Sequence, residues 1–131
     1  MDDATSGIVR QWLHKAEHDL LNIRNNLAAE NVPTDTVCFH AQQAIEKLLK
    51  GLLIANGRHI TKSHDLVKLM MDVGDLAPEL FLFEDQLEEV SEYGVAVRYP
   101  DDFSEPTREE AEQAYRIALE LQTIIKNKIQ F

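Results

Sequence analysis

Residues 38–53 read Cys38-Phe39-His40-Ala41-Gln42-Gln43-Ala44-Ile45-Glu46-Lys47-Leu48-Leu49-Lys50-Gly51-Leu52-Leu53. On a helical wheel, at about 100° per residue, Val37, Cys38, Ala41, Ala44, Ile45, Leu48, Leu49 and Leu52 fall on one apolar arc. His40, Gln43, Lys47 and Ile54 form a narrow strip opposite, with Phe39, Glu46 and Lys50 beside it. A helix with an apolar arc this regular belongs at the centre of a helical protein. Its polar face admits two readings. An imidazole, an amide, a lysine and an exposed phenylalanine together suit a pocket wall or a partner surface. The alternative is a solvated face on which Glu46 and Lys50 form an ordinary i,i+4 pair worth about 0.3 kcal/mol.

The same periodicity extends outward in both directions, and no segment reads as a strand. Upstream, a first helix is expected over Ser6–Glu30, with Ile8, Trp12, Ala16, Leu20, Ile23 and Leu27 on one stripe. Asn31-Val32-Pro33 ends it, because proline cannot continue the backbone ladder. The second helix is expected to start at a cap on Thr34 or Asp35 and to stop at Asn56-Gly57. Downstream, a short third helix capped by Ser63 turns Leu66, Leu69 and Met70 inward. A fourth begins at Pro78, a residue suited to the first helical turn, with Leu80, Phe83, Leu87 and Val90 on one side. A fifth opens with the capping box Thr107–Glu110 and buries Ala111, Ala114, Tyr115, Ala118, Leu121 and Ile125. These elements predict an all-α protein, an up-and-down four-helix bundle with a short additional helix, as one domain over residues 1–131.

Composition narrows the possible functions. The 131 residues are 44% hydrophobic and 27% charged, values ordinary for a globular chain. The single cysteine, Cys38, allows no internal disulfide and suits a reducing compartment. Met1-Asp2-Asp3 is acidic and no apolar run follows, so neither a signal peptide nor a membrane span is expected, and a cytoplasmic location is. The net charge of −10 would repel a nucleic-acid backbone at long range. Residues 47–68 run against that balance: Lys47, Lys50, Arg58, Lys62 and Lys68 face one acid, Asp65, in the sequence, with His59 and His64 nearby. This segment is either an anion site or a solvated face.

The run Cys38–Leu53 resembles the signature of HEPN domains (higher eukaryotes and prokaryotes nucleotide-binding). Trp12, Lys15, Ala16, Asp19 and Leu20 are similar to that family's first helix, and Lys62-Ser63-His64-Asp65-Leu66 to the start of its third. Arg98-Tyr99-Pro100, followed by Glu105-Pro106-Thr107 and an Ala/Glu-rich helix, is similar to the end of short stand-alone members. The resemblance spans nearly the whole chain. It implies a homodimer, often paired with a minimal nucleotidyltransferase in a toxin–antitoxin arrangement. It also implies binding of a nucleotide or RNA through His40, Gln43, Lys47, Lys50, His64, Arg98 and Tyr99. Catalytic members are metal-independent endoribonucleases in which an arginine stabilises the charged transition state and a histidine four to six residues later moves a proton. Arg98 matches the arginine, but Tyr99, Pro100, Asp101, Asp102, Phe103, Ser104 and Glu105 follow it, and no histidine lies beyond His64. A nuclease would therefore need a different site, for which Arg98, His40 and His64 are the candidates.

Three further features bear on function. Asp19 falls at the edge of an apolar stripe, so a basic partner is expected, either Lys15 at i,i+4 or Arg98. His14 and His18 have a spacing that can bind zinc, but no third ligand is evident, so no metal site and no cofactor are expected. Cys38 sits on the apolar arc as a small core residue.

Overall fold

A computed structural model describes residues 1–96 and 105–131 and is helical throughout its described elements. Among these residues five α-helices occur in order: α1 (Asp3–Leu27), α2 (Thr34–Ala55), α3 (Leu66–Asp72), α4 (Glu84–Ala96) and α5 (Arg108–Lys128). A 3-10 helix, Pro78–Phe83, leads into α4. The fold class is as the periodicity predicts, and the boundaries move where local capping decides them.

The first helix begins three residues early because the Asp2 carboxylate accepts from the Thr5 amide at 2.6 Å, taking up one of the orphan donors of the first turn. Neither Thr34 nor Asp35 caps α2. Pro33 occupies that position and no side chain bonds there, while Asp35 accepts from the adjacent Thr36 amide. The expected stop does form. Gly57 sits at φ +71°, where an L side chain is strained, and the Arg58 amide reaches back to the Leu53 carbonyl at 3.0 Å. Asp65 rather than Ser63 caps α3, accepting from Val67 and Lys68. Proline at residue 78 opens a 3-10 helix, so α4 proper starts only at Glu84. The Thr107–Glu110 capping box of α5 forms in both directions.

The central helix is α2, packed against α1, α3, α4 and α5. Its arc Val37, Cys38, Ala41, Ala44, Ile45, Leu48, Leu49 and Leu52 is fully buried. Around it lie Val9, Ala16, Leu20 and Ile23 of α1, Leu66, Leu69 and Met70 of α3, Leu87 and Val90 of α4, and Ala111, Ala118, Leu121 and Ile125 of α5. Ile8, expected inside, is 45% exposed, and Val9 takes the core position instead. Small residues set the closeness of α1 to α2: a Cβ on Gly51 would lie 3.5 Å from Trp12 Cβ. Among the described residues, no helix is long and apolar enough to cross a membrane.

Candidate functional site

Two carboxylates with tightly held imidazoles occupy opposite flanks of the polar face of α2. On the α1 side, Asp19 accepts from His40 Nδ1 at 2.8 Å through one oxygen and from Lys47 Nζ at 2.6 Å through the other. His40 and Lys47 are two turns apart on α2, on one side of the helix, so a single acid from α1 reaches both. Among the described residues, neither Lys15 nor any residue after α4 fills this role. The acid bonds across the α1–α2 contact to His40 and Lys47 and not to Lys15, while Arg98, the other expected partner, lies outside the described residues.

On the other flank, Glu46 is the hub. Its Oε1 accepts from His64 Nδ1 at 2.8 Å and Gln42 Nε2 at 3.1 Å, and its Oε2 from Lys50 Nζ at 3.1 Å. Gln42 also donates to the His64 carbonyl, and Gln43 donates to Gln42 Oε1 at 2.7 Å. The reading of Glu46 and Lys50 as a solvated pair does not hold. They are 5% and 6% exposed, which makes this a buried ion pair. Burial alone would push the Glu46 carboxyl upward. Hydrogen bonds from His64, Lys50 and Gln42 outweigh burial and hold its pKa below the usual carboxylate value.

The hydrogen-bond pattern fixes what each ring can do. An ionised carboxylate only accepts, so both rings must carry a proton on Nδ1. That leaves Nε2 as the nitrogen available to a ligand. The His64 side chain is 57% exposed, so its ring is reachable. Glu46 and Lys47 also form part of the wall of a 400 Å³ groove between α1 and α2, completed by Gln11, Trp12 and Lys15.

The basic segment 47–68 is not an open cationic patch. Lys47 meets Asp19, Lys50 meets Glu46, Arg58 grips Asp75 with two nitrogens at 2.8 and 2.5 Å, and Lys68 meets Asp72. Of its five cations, only Lys62 has no carboxylate partner among the described residues. Charge that looks unbalanced along the sequence is therefore largely balanced in space.

The structure brings His40, Gln43, Lys47, Lys50 and His64 onto and around one face, whereas Arg98 and Tyr99 lie outside the described residues. Sequence reasoning missed Gln42 and Glu46 as organisers; it expected a basic partner for Asp19 but did not name His40 or Lys47. A weak signal existed for Gln42, which falls on the edge of the apolar arc, where an amide needs partners. His14 and His18 lie against each other with ring centroids 4.2 Å apart and planes tilted by 55°. Among the described residues, no three His, Cys, Asp or Glu side chains are grouped to hold a metal ion. Cys38 is buried, and burial, with negative charge on Glu110, Asp35 and Glu89, pushes its thiol up to about 12. It is a core residue and no nucleophile.

The chain belongs to the HEPN domain family, whose model matches residues 9–128. It is 27% identical to a protein of Methanocaldococcus jannaschii named "Putative toxin MJ1304", over 97% of this chain and 93% of that one. Among solved structures it resembles TT1696 of Thermus thermophilus, with TM-score 0.76, 28% identity, and coverage of 92% of this chain and 98% of that one. It also resembles ST0689, an archaeal HEPN homologue, with TM-score 0.73 and 23% identity over 93% and 98% of the two chains.

Proposed function

We propose that this chain is a cytoplasmic, homodimeric HEPN interaction module of toxin–antitoxin type. In this reading the α2 face, with Arg98 and Tyr99, binds a nucleotide, RNA or a partner minimal nucleotidyltransferase. The observation that carries the reading is the pair of carboxylate-held imidazoles flanking that face. Buried charges such as Asp19, Glu46 and Lys50 contribute little net stability compared with well-packed apolar residues. Their worth lies in what they hold: His40, Lys47 and His64 at fixed positions on an accessible surface. Gln43 is oriented by Gln42, and Lys50 acts through Glu46. Similarity to a toxin-named archaeal protein supports the same reading.

The test is to co-express the chain with its genomic neighbour, separate the two, and measure Tm shifts of the freed chain with ATP and gel retardation with RNA. Co-elution, a Tm shift or RNA retention supports the module. If none of the three occurs, it is wrong. A second reading, a metal-independent ribonuclease using Arg98, His40 and His64, is favoured by one feature: Nδ1 of the exposed His64 is anchored to Glu46 and Nε2 has no hydrogen-bond partner among the described residues, as a general base requires. Cleavage of RNA in excess chelator, abolished by Arg98→Ala, would establish this reading. An inert wild type would eliminate it.

A further inference from the structure

The segment from Leu69 to Ala96 holds eight carboxylates and no basic residue. Among the described residues, three of the eight meet a cation from elsewhere: Asp72 meets Lys68, Asp75 meets Arg58 and Glu79 meets Lys128. Glu84, Asp85, Glu88, Glu89 and Glu92 stay exposed on α4, whose inner side is taken by Leu87 and Val90. Around the head of this acidic face lie three exposed apolar side chains. Leu82 is 85% exposed, Met71 57% and Phe81 46%. The chain makes room for them: the Phe81 ring lies across Gly74, where any Cβ would overlap the ring, and the Met71 carbonyl borders the same spot. At its far end the acidic face opens into a 230 Å³ cleft between α4 and α5, lined by Glu89, Tyr93, Glu109, Glu110 and Arg116 among others.

We propose that this surface docks a basic, apolar-tipped helical segment of another protein, its apolar end seated on Met71, Phe81 and Leu82 and its lysines or arginines laid along α4 towards the α4–α5 cleft. Charge complementarity selects the occupant. A second copy related by a twofold axis would bring carboxylates against carboxylates, and nucleic acid or an anionic lipid surface would meet the same repulsion. Only a cationic partner satisfies both the apolar head and the acidic run. The spacing is also specific. Leu82 and Glu89 are seven residues apart, roughly 10 Å along a helix, so the partner's apolar anchor and a basic side chain should be about two turns apart. The cleft suits that side chain because its lining holds three glutamates against one cation, Arg116. This surface is separate from the α2 face and does not depend on what that face binds.

The experiment uses the full chain and two labelled synthetic probes, read by fluorescence anisotropy. One is an alanine-based helical peptide with two leucines in one turn and lysines over the next two turns. The other carries glutamate in place of lysine. The lysine peptide is expected to bind saturably, to weaken as salt rises, and to weaken by about tenfold or more with Phe81→Ser/Leu82→Ser. A similar loss is expected with Glu84→Lys/Asp85→Lys. All four positions are solvent-exposed, and circular dichroism will check that each variant is folded. Equal binding to wild type and both variants, binding of the glutamate peptide, or no saturable binding at all overturns the proposal. So does sedimentation in which the wild type self-associates and the Phe81→Ser/Leu82→Ser variant does not, because a second copy would then cover the patch.

Discussion

Replacing Glu46 with alanine tests the buried network most directly. The substitution leaves the ammonium of Lys50, 6% exposed, without its counter-charge. It also removes the acceptor used by Gln42 and His64. Breaking a buried ion pair from one side costs about 3–5 kcal/mol, because the surviving charge stays desolvated. A domain of this size has total stability of about 5–15 kcal/mol, so the variant should be folded at 25 °C but have lost a large share of its margin. Urea unfolding followed by circular dichroism reads the loss as a shift in midpoint at unchanged m-value. Adding Lys50→Met should recover part of it, since the double change replaces a broken pair with apolar packing. The pH dependence has a definite sign. The folded-state pKa of Glu46 lies below its unfolded value. Its contribution is therefore fully present above the unfolded value of about 4.3 and is lost as pH falls through the folded value. The gap between wild type and Glu46→Ala should be larger at neutral pH than below about pH 4, where the Glu46 contribution is being lost. A cost under about 1 kcal/mol, the range of exposed pairs, would refute the claim that this network is buried and coupled.

Other outcomes can be checked with the same protein. Asp19→Asn keeps the shape but removes the charge that holds Lys47 and His40, and should cost about 1–3 kcal/mol by urea unfolding. Gly57→Ala places a side chain at φ +71°, with an expected cost of about 1–2 kcal/mol; Gly57→Asn should cost less, because asparagine tolerates that backbone better. Cys38, buried and with its thiol pushed up to about 12, should resist a thiol reagent in the native state. Its labelling rate should track opening of the bundle, and rapid labelling of folded protein would contradict the core assignment.

Much of the fold could be read from apolar spacing because helices are local. The arc from Val37 to Leu52, the stop at Gly57 and the Thr107–Glu110 box each depend on residues within a few positions of one another. Misreadings came where competing local choices were close in energy. Asp65 and Ser63 both cap well, and Ile8 and Val9 both flank the α1 stripe. The candidate site was less legible because its contacts are long-range. Asp19 is 21 residues from His40 and 28 from Lys47, and nothing local distinguishes those partners from Lys15. The i,i+4 spacing of Glu46 and Lys50 was visible, but their burial was not. It depends on partners distant in sequence, among them His64, 18 residues from Glu46.

The bonds from Asp19 to His40 and Lys47 have a consequence for how α1 and α2 settle against each other. Apolar stripes set the closeness of the two helices but leave neighbouring ridge-and-groove registers nearer in energy than a polar contact does. A carboxylate fixed by two donors on the opposing helix separates them. Displacing α1 by one helical turn, about 5.4 Å, would carry Asp19 away from its partners and leave all three groups stranded at the seam. The ion pair thus works as a key that admits one alignment. Exchanging the charges at positions 19 and 47 would restore only the bond between those two, because a lysine at 19 offers no acceptor to the proton on His40 Nδ1.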